Sequence, residues 1–267
     1  MIPEDVRRFA EDPAAWGEIG PETGMTRILT DRYCLLLGPV PTFTTVSRLR
    51  LDPDTVSETI TEVRAHVAAH DHREAMWWVG SSASPGDLAD RLQTHGLVPD
   101  ERQGSEPHAT TMVLAAEPPA APGNVEARRV ETFEEFLAAG KIADEAFGAS
   151  EEDAKAYEAI AHESFARERA GHAPRAYLAL LDGEPVGVGR ALFADDCPGV
   201  LMIGGAVLAH ARGRGVYRAL VRARWDDAVA AGTPALTTQA GSMSRPVLER
   251  LGFQAVAEQE VLLDPAR

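Results

Sequence analysis

The sequence predicts an α/β protein made of two consecutive domains, on three observations. Short apolar runs alternate with segments of helical period along the chain. One apolar run, 200–208, passes through Arg-Gly-Arg-Gly into a helix. A proline-rich stretch, EPPAAPG at 117–123, divides the 267 residues into two parts of ordinary domain size.

The elements follow in order. In the first part, apolar β-formers bounded by turn residues predict strands over 33–37, 42–51, 75–79 and 110–114. Helices are expected over 55–69 and 86–95. Residues 118–123 cannot easily continue a helix or a central strand, so they read as a linker between domains 1–117 and 124–267. In the second part, the pattern predicts a strand over 125–130, helices over 133–147 and 151–169, and strands over 177–181, 186–193 and 200–208. A helix from Gly215 to about residue 231, a strand over 234–239, a short helix over 243–251 and a final strand after Gly252-Phe253 complete it.

Composition narrows the function classes. The net charge of -15 argues against nucleic acid as a partner, because phosphate binding needs clustered basic residues. A cationic small molecule suits this balance better, although acidity also serves solubility. No apolar run is long enough for a membrane span, and the opening MIPEDVRRFAED is unlike a signal peptide, so a cytoplasmic location is expected. Cys34 and Cys197, the only cysteines, are read as ordinary thiols. His66, His70, His72 and Glu74 have metal-like spacing, but no second ligand cluster accompanies them, and no metal is expected. His210 is read as loop surface or a coenzyme contact.

The turn after the 200–208 strand carries the chemistry. Gly213 and Gly215 remove β-carbons that would block close backbone approach, and Gly215 opens a helix whose free N–H groups favour an anion. Arg212, Arg214 and Arg218 add positive charge. Glycines in such a turn also serve backbone conformation alone, so a phosphate seat and a plain turn are both open. A Walker loop would need Gly-Lys-Ser/Thr and a dinucleotide fingerprint a third glycine near 218, and the sequence has neither.

From Arg212-Gly213-Arg214-Gly215-Val216-Tyr217, and from Ser244 to Gly252-Phe253, the chain resembles the GCN5-related N-acetyltransferase (GNAT) family over roughly residues 124–264. The first segment matches Arg/Gln-x-x-Gly-x-Gly/Ala except at Tyr217, where a small residue is usual. The resemblance implies a mixed, mostly antiparallel sheet flanked by helices, with acetyl-CoA as acyl donor and a small-molecule amine as acceptor. It implies coenzyme contacts from Ala206, Val207 and Leu208 on the strand, from Arg212, Gly213, Arg214, Gly215, Val216, Tyr217 and Arg218 at the loop, and from Ser244. Residues 87–97 faintly echo 244–253, which suggests a degenerate GNAT-like first domain; an unrelated α/β domain is the alternative. Its loop equivalent near 48–53 has no glycine and carries Pro53, so no coenzyme is expected there.

Many relatives place a glutamate on the central strand and a tyrosine in the last helix. Here the strand has Ile203-Gly204-Gly205-Ala206, Leu248 stands at the tyrosine position, and Gly241 replaces a frequent asparagine. Ser244 and Tyr217 are the remaining catalytic hydroxyl candidates, with a helix-start role open for Ser244. Acceptor contacts are expected from Phe147, Glu151, Glu152 and Tyr157, although Glu151 and Glu152 also suit the first turn of a helix. Gly204 and Gly205 leave room for an acceptor or permit a β-bulge. The leading expectation is N-acetyl transfer by direct attack in a ternary complex. The alternatives are coenzyme binding without turnover, and transfer of aminoacyl or longer acyl groups.

Overall fold

In the computed structural model, which describes residues 2–102 and 104–265, the chain forms one mixed sheet whose two halves exchange their last strands. The outer residues of the expected domain ranges, Met1, Ala266 and Arg267, and Gln103 within the first, lie outside the described residues.

The first half runs α1 (Glu4–Glu11), β1 (Thr26–Leu29), β2 (Cys34–Leu37), β3 (Thr44–Ser47), α2 (Val56–Ala69), β4 (Ala75–Gly80), α3 (Leu88–Thr94), β5 (Val98–Pro99) and β6 (His108–Leu114). The second half runs β7 (Val125–Arg129), α4 (Phe133–Phe147), α5 (Glu151–Ala159), α6 (Ala161–Ala170), β8 (Arg175–Leu181), β9 (Glu184–Leu192), β10 (Val200–Val207), α7 (Val216–Ala230), β11 (Leu236–Ala240), α8 (Arg245–Arg250) and β12 (Gln254–Asp264). Where one helix was expected over 151–169 there are two, broken at Ile160. The predicted 42–51 strand is confined to Thr44–Ser47, because Arg48 adopts φ 52° and turns the chain.

Sheet order is β1-β2-β3-β4-β12-β6-β11-β10-β9-β8-β7, with β5 paired to β12. The two halves repeat one plan. In each, a run of three strands, β1 to β3 and β8 to β10, is followed by a helix, a strand parallel to the third, a short helix and a closing strand; β7 and α4 to α6 precede the run in the second half, the short β5 precedes the closing strand in the first, and the parallel pairs are β3 with β4 and β10 with β11. The closing strands are crossed over. β6 of the first half pairs with β11 of the second, and β12 of the second pairs with β4 of the first. β6 and β12 then pair with each other and fuse the sheets.

Burial follows this exchange. Met112 and Leu114 of β6 lie in the core of the second half with Leu220, Leu236 and Leu248. Leu262 of β12 lies in the core of the first half with Trp77, Ile60 and Leu92. α1, unforeseen in the sequence, buries Val6 and Ala10 against Val113 and Ala235 across the joint. Gln239 and Gln259 donate to the carbonyls of Ala10 and Glu11 there.

The segment 117–123 is held along α7. Glu117 pairs with Arg222, and the Pro122 ring reaches the turn before the helix. α7 covers one face of β7 to β10, and α4 covers the other face over β8 to β10.

Candidate functional site

Parallel strands β10 and β11 are joined only at their start, where Val200 faces Leu236 and Leu201 faces Thr237. The Thr238 hydroxyl donates to Met202 O at 3.0 Å, and beyond it the strands part. A β-bulge lies on the diverging side: pairing to β9 slips between Ile203 and Ala206, and Gly204 has φ +58°, a conformation that favours glycine. The bulge, one of the two readings of Gly204 and Gly205, is present, and both glycines also line the opening.

Leu208 N–H donates to Val186 O on the β9 side. Antiparallel alternation therefore turns the main-chain groups of Ala206 toward β9 and those of Val207 toward the gap. The Val207 carbonyl there accepts from Arg212 Nε at 3.1 Å. Of the three predicted strand contacts, Val207 alone presents backbone to the opening; Ala206 lines it and Leu208 does not.

Gly213 and Gly215 have φ +75° and +84°, so both glycines are required by backbone conformation. Ala219 N–H is the first along α7 to find a carbonyl, that of Gly215, at 3.0 Å. The N–H groups of Val216, Tyr217 and Arg218 are the free donors of the helix start, and Gly215 supplies no capping side chain. Arg218 Nε is buried without a hydrogen-bond partner, Arg214 pairs with Asp182 at 3.3 Å, and Arg212 is exposed. An anion placed here would meet three backbone donors and a helix dipole, with Arg218 on the first turn of the helix.

Tyr217, the departure from the family pattern, packs its ring against Gly205, with Cε2 2.9 Å from where a β-carbon would stand. Burial raises its pKa, and neighbouring Arg224 works against that shift. Arg224 is itself buried, with Nε donating to Leu220 O and Nη1 to Arg190 O. Ser244, at the start of α8, donates to Gly241 O at 3.3 Å within its own turn and lines the opening. Glu106 of the first half accepts from Ser242 N–H beside it at 2.6 Å.

Gly204 to Val207, the 212–218 turn, Ser244 and Glu106 border one cleft of about 2110 Å³ that also takes its walls from Trp16, Phe43 and Trp78 of the first half. Of the expected acceptor residues, Phe147 and Tyr157 line it, at 39% and 45% exposure. Glu151 and Glu152 do not line it. Glu151 pairs with Lys155 one turn on, and Glu152 pairs with Arg73 of the first half, while the Ser150 side chain caps the helix. Their helix-start position turns both away from the opening.

Among the charged cleft residues not singled out in the sequence are Asp144 on α4, Glu168 on α6 and Arg190 on β9. Burial raises the pKa of both carboxyls, and Arg190 opposes it in each. The one available signal was Arg190, a lone charge within the apolar run VGVGRALF.

The equivalent place in the first half is closed. Ser84 N–H donates to Leu49 O at 3.1 Å and Leu51 N–H to Ser84 O at 3.0 Å, zipping the gap beyond β3 and β4. The histidine group is dispersed: His72 bonds Thr44, His70 bonds His66 O, and Glu74 pairs with Arg102. His210 is exposed, and both cysteines are buried, with the Cys34 thiol pushed up to about 11 by burial. Among the described residues no helix is long and apolar enough to cross a membrane.

Residues 138–253 match the model of the acetyltransferase (GNAT) family. No curated protein is significantly similar to the chain. Among solved structures, a GCN5-related N-acetyltransferase from Kribbella flavida is similar over 98% of this chain and 96% of its own, with 22% identity and a TM-score of 0.68. A tandem GNAT protein from the clavulanic acid biosynthesis pathway aligns over 99% and 89%, at 16% identity and a TM-score of 0.57. A GCN5-related N-acetyltransferase from Sphaerobacter thermophilus aligns over 90% and 82%, at 16% identity and 0.59. At these identities the likeness is one of fold, and it extends across both halves.

Proposed function

We propose, from the premise that residues 138–253 form a GNAT acetyltransferase domain, that this chain transfers an acetyl group from acetyl-CoA to the amine of a small molecule by direct attack in a ternary complex. The observation that carries this reading is the opening between β10 and β11, with the free N–H groups of Val216, Tyr217 and Arg218 at its loop. A pyrophosphate suits Gly213, Gly215 and those donors, with Arg212, Arg214 and Arg218 supplying charge. The extended arm of the coenzyme suits the Val207 backbone, which faces the gap.

In the reaction the amine nitrogen bonds to the thioester carbon and the carbon–sulfur bond breaks. One proton leaves the amine and one reaches the thiolate. Asp144 and Glu168, with pKa values raised by burial, are the cleft carboxyls available to the first proton. Ser244 is the hydroxyl we assign beside the thiol, and Tyr217, packed on Gly205, shapes the strand against which the acyl group lies. Phe147 and Tyr157 wall the acceptor side. The first half, its own gap zipped by Ser84, supplies cleft wall rather than a second coenzyme site.

Calorimetry with acetyl-CoA on the whole chain tests the site. Micromolar binding is expected, weakened about tenfold by Arg218→Gln. Unchanged affinity in a folded variant overturns the assignment. Because 203–206 carries no carboxylate, binding without turnover across a panel of amines would favour a sensor or scaffold role instead.

A further inference from the structure

β9 presents to the cleft a guanidinium with no partner. Alternation along the strand turns Gly187 and Gly189 toward α7, where Val216 and Arg224 press against them. Val188 and Arg190 therefore face α4 and α6. Arg190 Nη1 stands 3.5 Å from where a β-carbon on Gly204 would be, beside the bulge at which the strands part. Among the described residues this guanidinium makes no hydrogen bond or ion pair, whereas Arg64, Arg102 and Arg128 are each bonded to a carboxylate.

Asp144, Glu168 and Tyr157 surround Arg190 at electrostatic range without contact. Glu168 is 4% exposed, and its Oε1 is held by the Ala176 N–H at 2.8 Å. A guanidinium keeps its charge at any physiological pH, and half-buried in the cleft wall with no protein acceptor it is left for an acceptor that a ligand brings.

We propose that Arg190 binds a carboxylate of the acceptor, so that the amine acetylated here is one of the α-amino-acid type. This rests on the acyltransferase reading and narrows its substrate class. The planar fork of arginine matches a carboxylate with two parallel hydrogen bonds. Charge separates a carboxylate from a phosphate: two cleft carboxyls already face one guanidinium, and a phosphate dianion would add to that excess. An ammonium carboxylate adds no net charge and meets an opposite charge at each end.

The test is binding to the full-length protein loaded with CoA, measured by calorimetry so that turnover is not needed. The probes are matched pairs: L-phenylalanine and phenethylamine, L-ornithine and putrescine, L-histidine and histamine. At least one amino acid should bind about tenfold or more tightly than its decarboxylated partner. Arg190→Gln should abolish that difference by weakening the acid alone, and Arg190→Lys should keep part of it. CoA affinity and Tm of the variants report folding, and Tm should not fall, since no protein partner is lost. Equal affinity within every pair, preference for the decarboxylated amine, binding of no acid, or discrimination that survives Arg190→Gln would overturn the inference. An amino acid that binds through Arg190 but is not acetylated when acetyl-CoA replaces CoA would leave the carboxylate site standing and overturn the acetyl transfer on which its role as acceptor rests.

Discussion

Pro122 lies against the α-carbon of Gly215, with its Cγ only 2.4 Å from the point where a β-carbon would stand. Gly213, two residues earlier, has open space at the same point. Both have positive φ, so Gly213→Ala should cost only left-handed strain, about 1–2 kcal/mol, whereas Gly215→Ala should cost more and displace the 117–123 segment. Urea unfolding of the two variants checks the order, and Pro122→Gly should recover part of the Gly215→Ala loss. Equal costs would mean that the proline contact does not constrain the turn.

Arg64 on α2 holds Asp264 at the end of β12 through both carboxylate oxygens, at 2.7–3.2 Å. Asp264 is 4% exposed. Arg64→Ala leaves that carboxylate buried and unpaired, and should destabilise the protein by about 3 kcal/mol. Hydrogen exchange should quicken first in β4 and β12, the strands this pair secures.

Because β6 is the partner of β11, a fragment beginning at Pro118 lacks a strand of its own half's sheet. Produced alone, fragments 1–117 and 118–267 should each lack cooperative unfolding, and the two produced together should regain it. Circular dichroism melts of the separate and combined fragments decide this. A cooperatively folded 118–267 fragment would show that β12 can turn back to fill the place of β6.

Thr132 caps α4 through the Glu135 N–H, and Glu135 reaches back to the Glu131 N–H and to Arg128. These partners hold the Glu135 carboxyl down at about 2. A lowered folded pKa stabilises above the unfolded value and is lost as pH falls toward the folded one. The stability gap between the wild type and Glu135→Gln should therefore be full near pH 6 and close between about pH 4.5 and 2. Its size at this partly solvated pair should be about 1 kcal/mol, read from Tm.

What the sequence discloses follows how local each cause is. α4 is legible to the residue because Thr132 and Gly148, at its two ends, act within one turn. Gly213 and Gly215 are legible for the same reason: a backbone conformation demands them. α1 is hidden because prolines and acids at 3–13 mask a stripe in which Val6 and Ala10 pack on Val113 and Ala235, more than a hundred residues away. The exchange of β6 and β12 leaves no mark, since either strand alternates suitably for either sheet. Asp144, Glu168 and Arg190 share no spacing; only the folding of α4 and α6 over β9 gathers them.

The crossing of the closing strands also bears on how the protein is made. A chain leaving the ribosome presents β1 to β4 and their helices long before residues 254–264 exist, and those residues are the strand that borders β4. Until then the β4 edge is bare, with Trp77 and its apolar neighbours still uncovered by Leu262. β6 waits in turn for β11. The native strand order of the first half is therefore complete only once residues 254–264 have been made, and that of the second half draws on a strand made before it.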